Sequence, residues 1–122
     1  MRILNLTQHP ATAEQRAEGV FDLVNEERQA LAECLTFDES PTKAEMVKRA
    51  RTIVSLVVMV RPDDGVMIGG APFFMSTLEE ELKAARIPFA YAFSKRVSEE
   101  RTLADGTVEK VNRFAHAGWV VP

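Results

Sequence analysis

The chain has 122 residues, 46% of them hydrophobic and 27% charged, enough for one domain that buries roughly two thirds of its unfolded surface and too few for a second. The net charge of −3 and a pI near 5.4 argue against non-specific binding of long nucleic acid, which depends on many Lys and Arg contacts with phosphates. A small anionic ligand stays open, because a local pocket can be positive on an acidic protein.

Met1 and Arg2 lead into no long apolar stretch of the signal-peptide kind, so the cytoplasm is the expected location. Ile3-Leu4-Asn5-Leu6 predicts a short strand, and Pro10 bends the path that follows it. Thr7, Gln8 and His9 therefore fall at a strand's carboxyl end. Thr12 and Gln15 have capping-box spacing, which predicts a helix over residues 13–18 that stops at Gly19. Val20-Phe21-Asp22-Leu23-Val24 predicts a second strand.

Asn25 is expected to cap a helix that runs to about Leu35. Cys34 is the only cysteine, which excludes an internal disulfide and a thiolate-rich metal site. Its neighbours Leu31 and Leu35 assign it to packing rather than to nucleophilic chemistry. Thr42 and Glu45 repeat the capping-box spacing and open a helix whose Met46, Val47, Ala50, Ile53, Val54 and Val57 share one stripe. Residues 53–60 are rich in branched side chains and would serve as a strand. Periodicity that starts at Met46 and meets no breaker before Pro62 favours the helix, and the apolar run is far too short to span a membrane.

Arg61-Pro62-Asp63-Asp64-Gly65 predicts a turn, and Val66-Met67-Ile68 a strand. Gly69, Gly70, Ala71 and Pro72 come next. Glycines let the backbone turn sharply and approach a ligand, proline suits the first helical position, and a helix start offers unpaired N–H groups to an anion. Most such turns only connect elements. The helix after them is expected to bury Phe74, Leu78, Leu82 and Ala85, with Glu79, Glu80, Glu81 and Lys83 mostly facing water. Pro88 restarts the chain as a strand, Phe89-Ala90-Tyr91-Ala92-Phe93, with Ser94, Lys95 and Arg96 at its end. Asp105-Gly106 then predicts a two-residue hairpin turn, in a register that pairs Leu103 with Val108 and Val97 with Phe114.

This alternation predicts a single compact Rossmann-like α/β domain over residues 1–122: a mainly parallel sheet with helices on both faces and a C-terminal β-hairpin. Ligands of such sheets collect outside the strands' carboxyl ends. Three stretches should meet there: Thr7-Gln8-His9, Gly69-Gly70 and Ser94-Lys95-Arg96. His9 has the chemistry of a general acid or base near neutral pH, although a surface histidine without a role fits the same position. Arg96 and Lys95 would neutralise a phosphate, although charges at a hairpin entrance are usually just solvated. His116 shares a face with Phe114 and reads as a packed structural histidine. Two histidines without a carboxylate motif make no metal site, and no cofactor is expected. Gly69-Gly70 lacks the rest of a dinucleotide fingerprint, and there is no Walker loop.

Several stretches together resemble a known family. They are Leu6-Thr7-Gln8-His9 with Ala11-Thr12-Ala13-Glu14-Gln15, the central Val66-Met67-Ile68-Gly69-Gly70, and Met75. Further along come Ile87-Pro88-Phe89-Ala90-Tyr91-Ala92, Arg96, Glu99, Asp105-Gly106-Thr107-Val108 and Phe114-Ala115-His116. In this order the chain resembles a small accessory protein family of type III CRISPR systems, similar to CARF domains, which are Rossmann-like folds that bind cyclic oligoadenylates in antiviral defence. Residues 24–61 match loosely, and Gly70 stands where the family pattern has an acidic residue.

The resemblance implies a ring nuclease: metal-independent cleavage of a cyclic oligoadenylate by attack of a ribose 2′-hydroxyl on the adjacent phosphorus. It implies His9, Ser94 and Arg96 as catalytic residues, and Thr7, Gln8, Gly69, Gly70, Ala71 and Lys95 as ligand-binding ones. Such a reaction needs in-line geometry, donors on the phosphate and a proton carrier, and no metal. A symmetric ring favours a homodimer. The alternatives are a nucleotide-binding module that does not turn its ligand over, and a phage or mobile-element interaction protein that uses Trp119 as an anchor.

Overall fold

The computed structural model describes all 122 residues. The elements are β1 (Ile3–Leu6), α1 (Ala13–Ala17), β2 (Val20–Asp22), α2 (Asn25–Leu35), α3 (Lys43–Val60), β3 (Val66–Ile68), α4 (Pro72–Ala84), β4 (Phe89–Thr102) and β5 (Val108–Val120). The five strands form one sheet in the order β2-β1-β3-β4-β5. All neighbours are parallel except the β4–β5 pair. The protein is thus α/β with a mostly parallel sheet.

Both threonine caps start their helices. Thr12 accepts from the Gln15 N–H while the Gln15 side chain accepts from the Thr12 N–H, a complete capping box. Thr42 accepts from the Glu45 N–H, and Glu45 turns its carboxylate to Arg49 instead of closing the box. Each cap satisfies donors that the first turn leaves unpaired. The branched run at residues 53–60 is helical, as its periodicity indicates: Ile53, Leu56 and Val57 are buried on one stripe of α3. Arg61, in the left-handed region with φ 54°, ends α3 by donating to the Val57 carbonyl. No helix is long and apolar enough to cross a membrane.

The sheet's two faces are covered unequally. Leu4, Leu6, Val66 and Ile68 lie against α2, α3 and α4 in a core completed by Ile53, Phe74, Leu78 and Leu82. Leu4, Leu6, Ile53, Phe74, Leu78 and Leu82 are fully buried, and each such side chain contributes about 2 kcal/mol. Ile3, Val20 and Met67 on the other face pack with Ala11, Ala92 and Trp119, and five-residue α1 is the only helix there. Helices do flank both faces, but three long ones lie on one and a single turn on the other.

Five expectations need correction. Asn25 does not cap α2; it is the first helical residue, at φ 53°, and Val24 precedes it without a side-chain cap. The second strand ends at Asp22 rather than at residue 24, and Ala85 is exposed at the end of α4. The strand expected over residues 89–93 continues to Thr102, so it is also the first arm of the hairpin. The hairpin register is one residue off, with Arg96 opposite Phe114 and Thr102 opposite Val108. Leu103 N–H donates to the Thr107 carbonyl at 2.7 Å and Gly106 N–H to the Leu103 carbonyl at 3.0 Å. With Gly106 at φ +88°, this is a three-residue turn with a glycine bulge rather than a two-residue turn. A second bulge between Phe93 and Ser94 shifts the register again, so that Phe93 faces Gly118.

Candidate functional site

The carboxyl ends of β1 and β3 open into a crevice of about 490 Å³. Thr7, Gln8 and His9 form one wall and Gly69 and Gly70 the other, with Tyr91 and Ala92 of β4 closing the side. A Cβ placed on Gly69 would come within 3.3 Å of the Thr7 methyl, so the two strand ends approach as closely as they do because residue 69 has no side chain. Behind the glycines, Pro72 occupies the first turn of α4. Phe74 N–H donates to the Ala71 carbonyl; Pro72 has no N–H, so the Phe73 N–H is the one earlier donor of α4 left without a helical acceptor.

Two of the three expected stretches meet here. Ser94, Lys95 and Arg96 do not line the crevice. They are exposed and sit beyond it on the β4–β5 ribbon, opposite His116, Ala115 and Phe114, because β4 continues where a strand end was expected. The Arg96 guanidinium lies 6.0 Å from the Phe114 ring centre. Ala71 caps α4 and packs against the core.

The loop that carries His9 hangs from a buried asparagine. Asn5 is 3% exposed; its Nδ2 donates to the His9 carbonyl and to Asp22 Oδ1, both at 2.8 Å, and its Oδ1 accepts from the Thr7 N–H and hydroxyl. Asp22 also accepts from the Ala11 N–H at 3.0 Å and from Arg16 at 2.6 Å. Burial acts to raise the Asp22 carboxyl, but the Asn5 and Ala11 hydrogen bonds and the Arg16 charge outweigh it and hold it below the ordinary range. Gln8 is tied separately, donating to the Thr36 hydroxyl at 2.8 Å. The His9 backbone is therefore fixed while its residue is exposed.

Among the lining residues the only ionisable side chains are His9 and Tyr91. Tyr91 donates its hydroxyl to Glu79; burial, then that bond and the Glu79 charge, push the phenol well above its ordinary value, so it stays protonated. Burial likewise raises the Cys34 thiol and keeps it out of nucleophilic chemistry. No three His, Cys, Asp or Glu side chains converge as a metal site.

His116 is structural, as its position predicts. Its side chain is 4% exposed, its Nε2 lies 2.8 Å from Glu18, and Trp119 Nε1 donates to the same carboxylate oxygen at 2.9 Å. The sequence reading missed Asn5, Asp22 and Glu18. A polar residue inside Ile3-Leu4-Asn5-Leu6 was the one available signal. At the opposite end of the sheet a more apolar cleft of about 580 Å³ is bounded by Ile3, Val66, Phe89 and Trp119, where the strands begin and ligands of parallel sheets do not gather.

A family model described as "Uncharacterized protein MJ1673 family" matches residues 1–120, and the chain belongs to that family. No curated protein and no solved structure matches the chain.

Proposed function

We propose that the crevice holds a small nucleotide and that the protein is a cytoplasmic, CARF-like ring nuclease, cleaving a cyclic oligoadenylate without a metal. One observation carries this reading: an anchored loop that bears the exposed His9 faces a glycine wall at the carboxyl ends of two parallel strands. Backbone N–H groups near Gly69 and Gly70 hold the scissile phosphate, and Thr7 and Gln8 orient ribose or base. His9 takes the proton of a ribose 2′-hydroxyl as its oxygen bonds to phosphorus. The P–O5′ bond breaks, and the proton passes to the departing 5′-oxygen. The product is a linear oligomer with a 2′,3′-cyclic phosphate at one end and a 5′-hydroxyl at the other. Ser94, Lys95 and Arg96, beyond the crevice, meet the part of a large ring that overhangs it.

A second reading, binding without turnover, is favoured by the scarcity of acid and base groups on the crevice wall. Incubation with cyclic tetra-adenylate and cyclic hexa-adenylate in EDTA, read by mass spectrometry, decides between them. Linear products with cyclic phosphate ends support cleavage. Intact rings that nevertheless bind leave only the sequestering module, and rings that neither bind nor change end both readings.

A further inference from the structure

The β5 strand is the edge of the sheet, and nothing pairs with its outer side. Edges of this length are protected in most proteins, because their free N–H and C=O groups recruit another strand. The Leu103–Thr107 pair is hydrogen-bonded, and bonding alternates along an antiparallel ladder. The backbone groups of Val108, Lys110, Asn112 and Phe114 therefore point away from β4. Phe114 is 71% exposed and Val108 59%.

We infer that residues 108–114 of β5 pair antiparallel with the same residues of a second copy, about a two-fold axis through Val111. The side chains select this register. Glu109 then faces Arg113 of the partner chain on both sides of the axis, and Val108 faces Phe114. Both charges already have partners within the chain: Glu109 with Arg101 at 2.7 Å, and Arg113 with Glu99 at 2.7 Å. Pairing therefore continues an alternation of acid and base across four strands. Shifting the axis to Lys110 places two lysines opposite each other. Shifting it to Asn112 puts Glu109 opposite Ala115 and Arg113 opposite Val111, with no charge pair. Centring on Glu109 or Arg113 opposes like charges, which destabilises a strand pair. Only the Val111 register satisfies the charges and covers Phe114 at once, which is why the occupant is a second copy of this chain.

Strand polarity then turns the two crevices towards the axis from opposite sides. The interface does not depend on what they bind, so failure of the cleavage assay leaves it standing.

Sedimentation velocity of the full chain tests it, with folding checked by circular dichroism. The wild type is expected to dimerise. Glu109→Arg and Arg113→Glu, each alone, face like charges and should weaken the dimer at least tenfold; an equimolar mixture of the two restores complementary pairs and should sediment as a heterodimer. Asn112→Pro removes one outward N–H without touching the β4 ladder and should also give monomer. A monomeric wild type at micromolar concentration, an Asn112→Pro dimer as tight as wild type, or folded charge variants that stay apart when mixed would each overturn the interface.

Discussion

The Asn5 side-chain nitrogen lies 2.8 Å from Asp22 Oδ1 on the neighbouring strand and the same distance from the His9 carbonyl oxygen. One amide thus links the sheet edge to the loop of the crevice. Replacing Asn5 by Ala strips partners from Asp22, from the Thr7 N–H and from the His9 carbonyl. Leaving buried polar groups unpaired costs about 1–3 kcal/mol each. We expect urea denaturation to register a loss of about 2 kcal/mol or more. A loss within ~0.5 kcal/mol, the range of an inert surface change, would show that the network carries no stability.

Asp22 gives the protein an acid dependence whose sign is fixed. Its folded carboxyl titrates below the unfolded value of 3.8, so the native state holds the ionised form preferentially. Its contribution is fully present above the unfolded value and is lost as pH falls through the lower, folded one. Stability of the wild type should therefore decline below about pH 4. Asp22→Asn, which lacks the titrating group, should be less stable at pH 7 and show a shallower decline over the same window. Parallel curves for the two proteins would assign the acid sensitivity to other carboxylates.

Local rules made much of the fold legible. The bounds of β1, the capping of α1 and α3, and the choice of helix over strand at residues 53–60 rest on spacings within a few residues. The extension of β4 to Thr102 was hidden because residues 94–102 are mostly polar on both sides, so no alternation marks them as a strand. The crevice loop and glycines were legible for the same local reason, at Pro10 and Gly69. Their supports were not. Asn5 reaches Asp22 across 17 positions, and Glu18 meets His116 and Trp119 across about a hundred, pairings that only the folded sheet creates.

Glu18 fastens β5 to the end of α1. Glu18→Ala leaves the Trp119 indole N–H and His116 Nε2 without their shared acceptor, beside a His116 Nδ1 that already has none. Trp119 is the only tryptophan, so its emission reports the surroundings of this one side chain. We expect a red shift in emission with a loss of about 1–2 kcal/mol in denaturant titration. Unchanged emission and stability would mean that apolar packing alone seats β5.

Two glycines with similar backbone angles should respond differently to alanine. Gly65 has φ +97°, and a Cβ there would meet the Pro88 carbonyl oxygen at 2.5 Å. That oxygen accepts from the Val66 N–H, and the Gly65 carbonyl accepts from Leu4, so relief of the clash disturbs β1, β3 and β4 together. Gly106 has φ +88° with nothing within 4 Å. Gly106→Ala should cost only the left-handed strain, about 1–2 kcal/mol, and Gly65→Ala more than ~2 kcal/mol. Equal melting shifts for the two variants would contradict the close packing at Pro88.

The positions of His9 and Arg96 make separable demands on the ring-cleaving reading. A proton carrier contributes about 10²–10⁴-fold to rate, and His9 is the crevice's only side chain free to act as one, since Tyr91 is held protonated by its surroundings. His9→Ala should therefore lower kcat at least ~100-fold while the affinity for the ring changes little. Arg96 lies outside the crevice wall, exposed beside Phe114, where a charge contact is weak and screened by salt. Arg96→Ala should raise KM by less than about tenfold, with an effect that fades at high salt, and leave kcat nearly unchanged. The reverse pattern, kcat lost with Arg96 and retained without His9, would move the chemistry from the crevice to the ribbon.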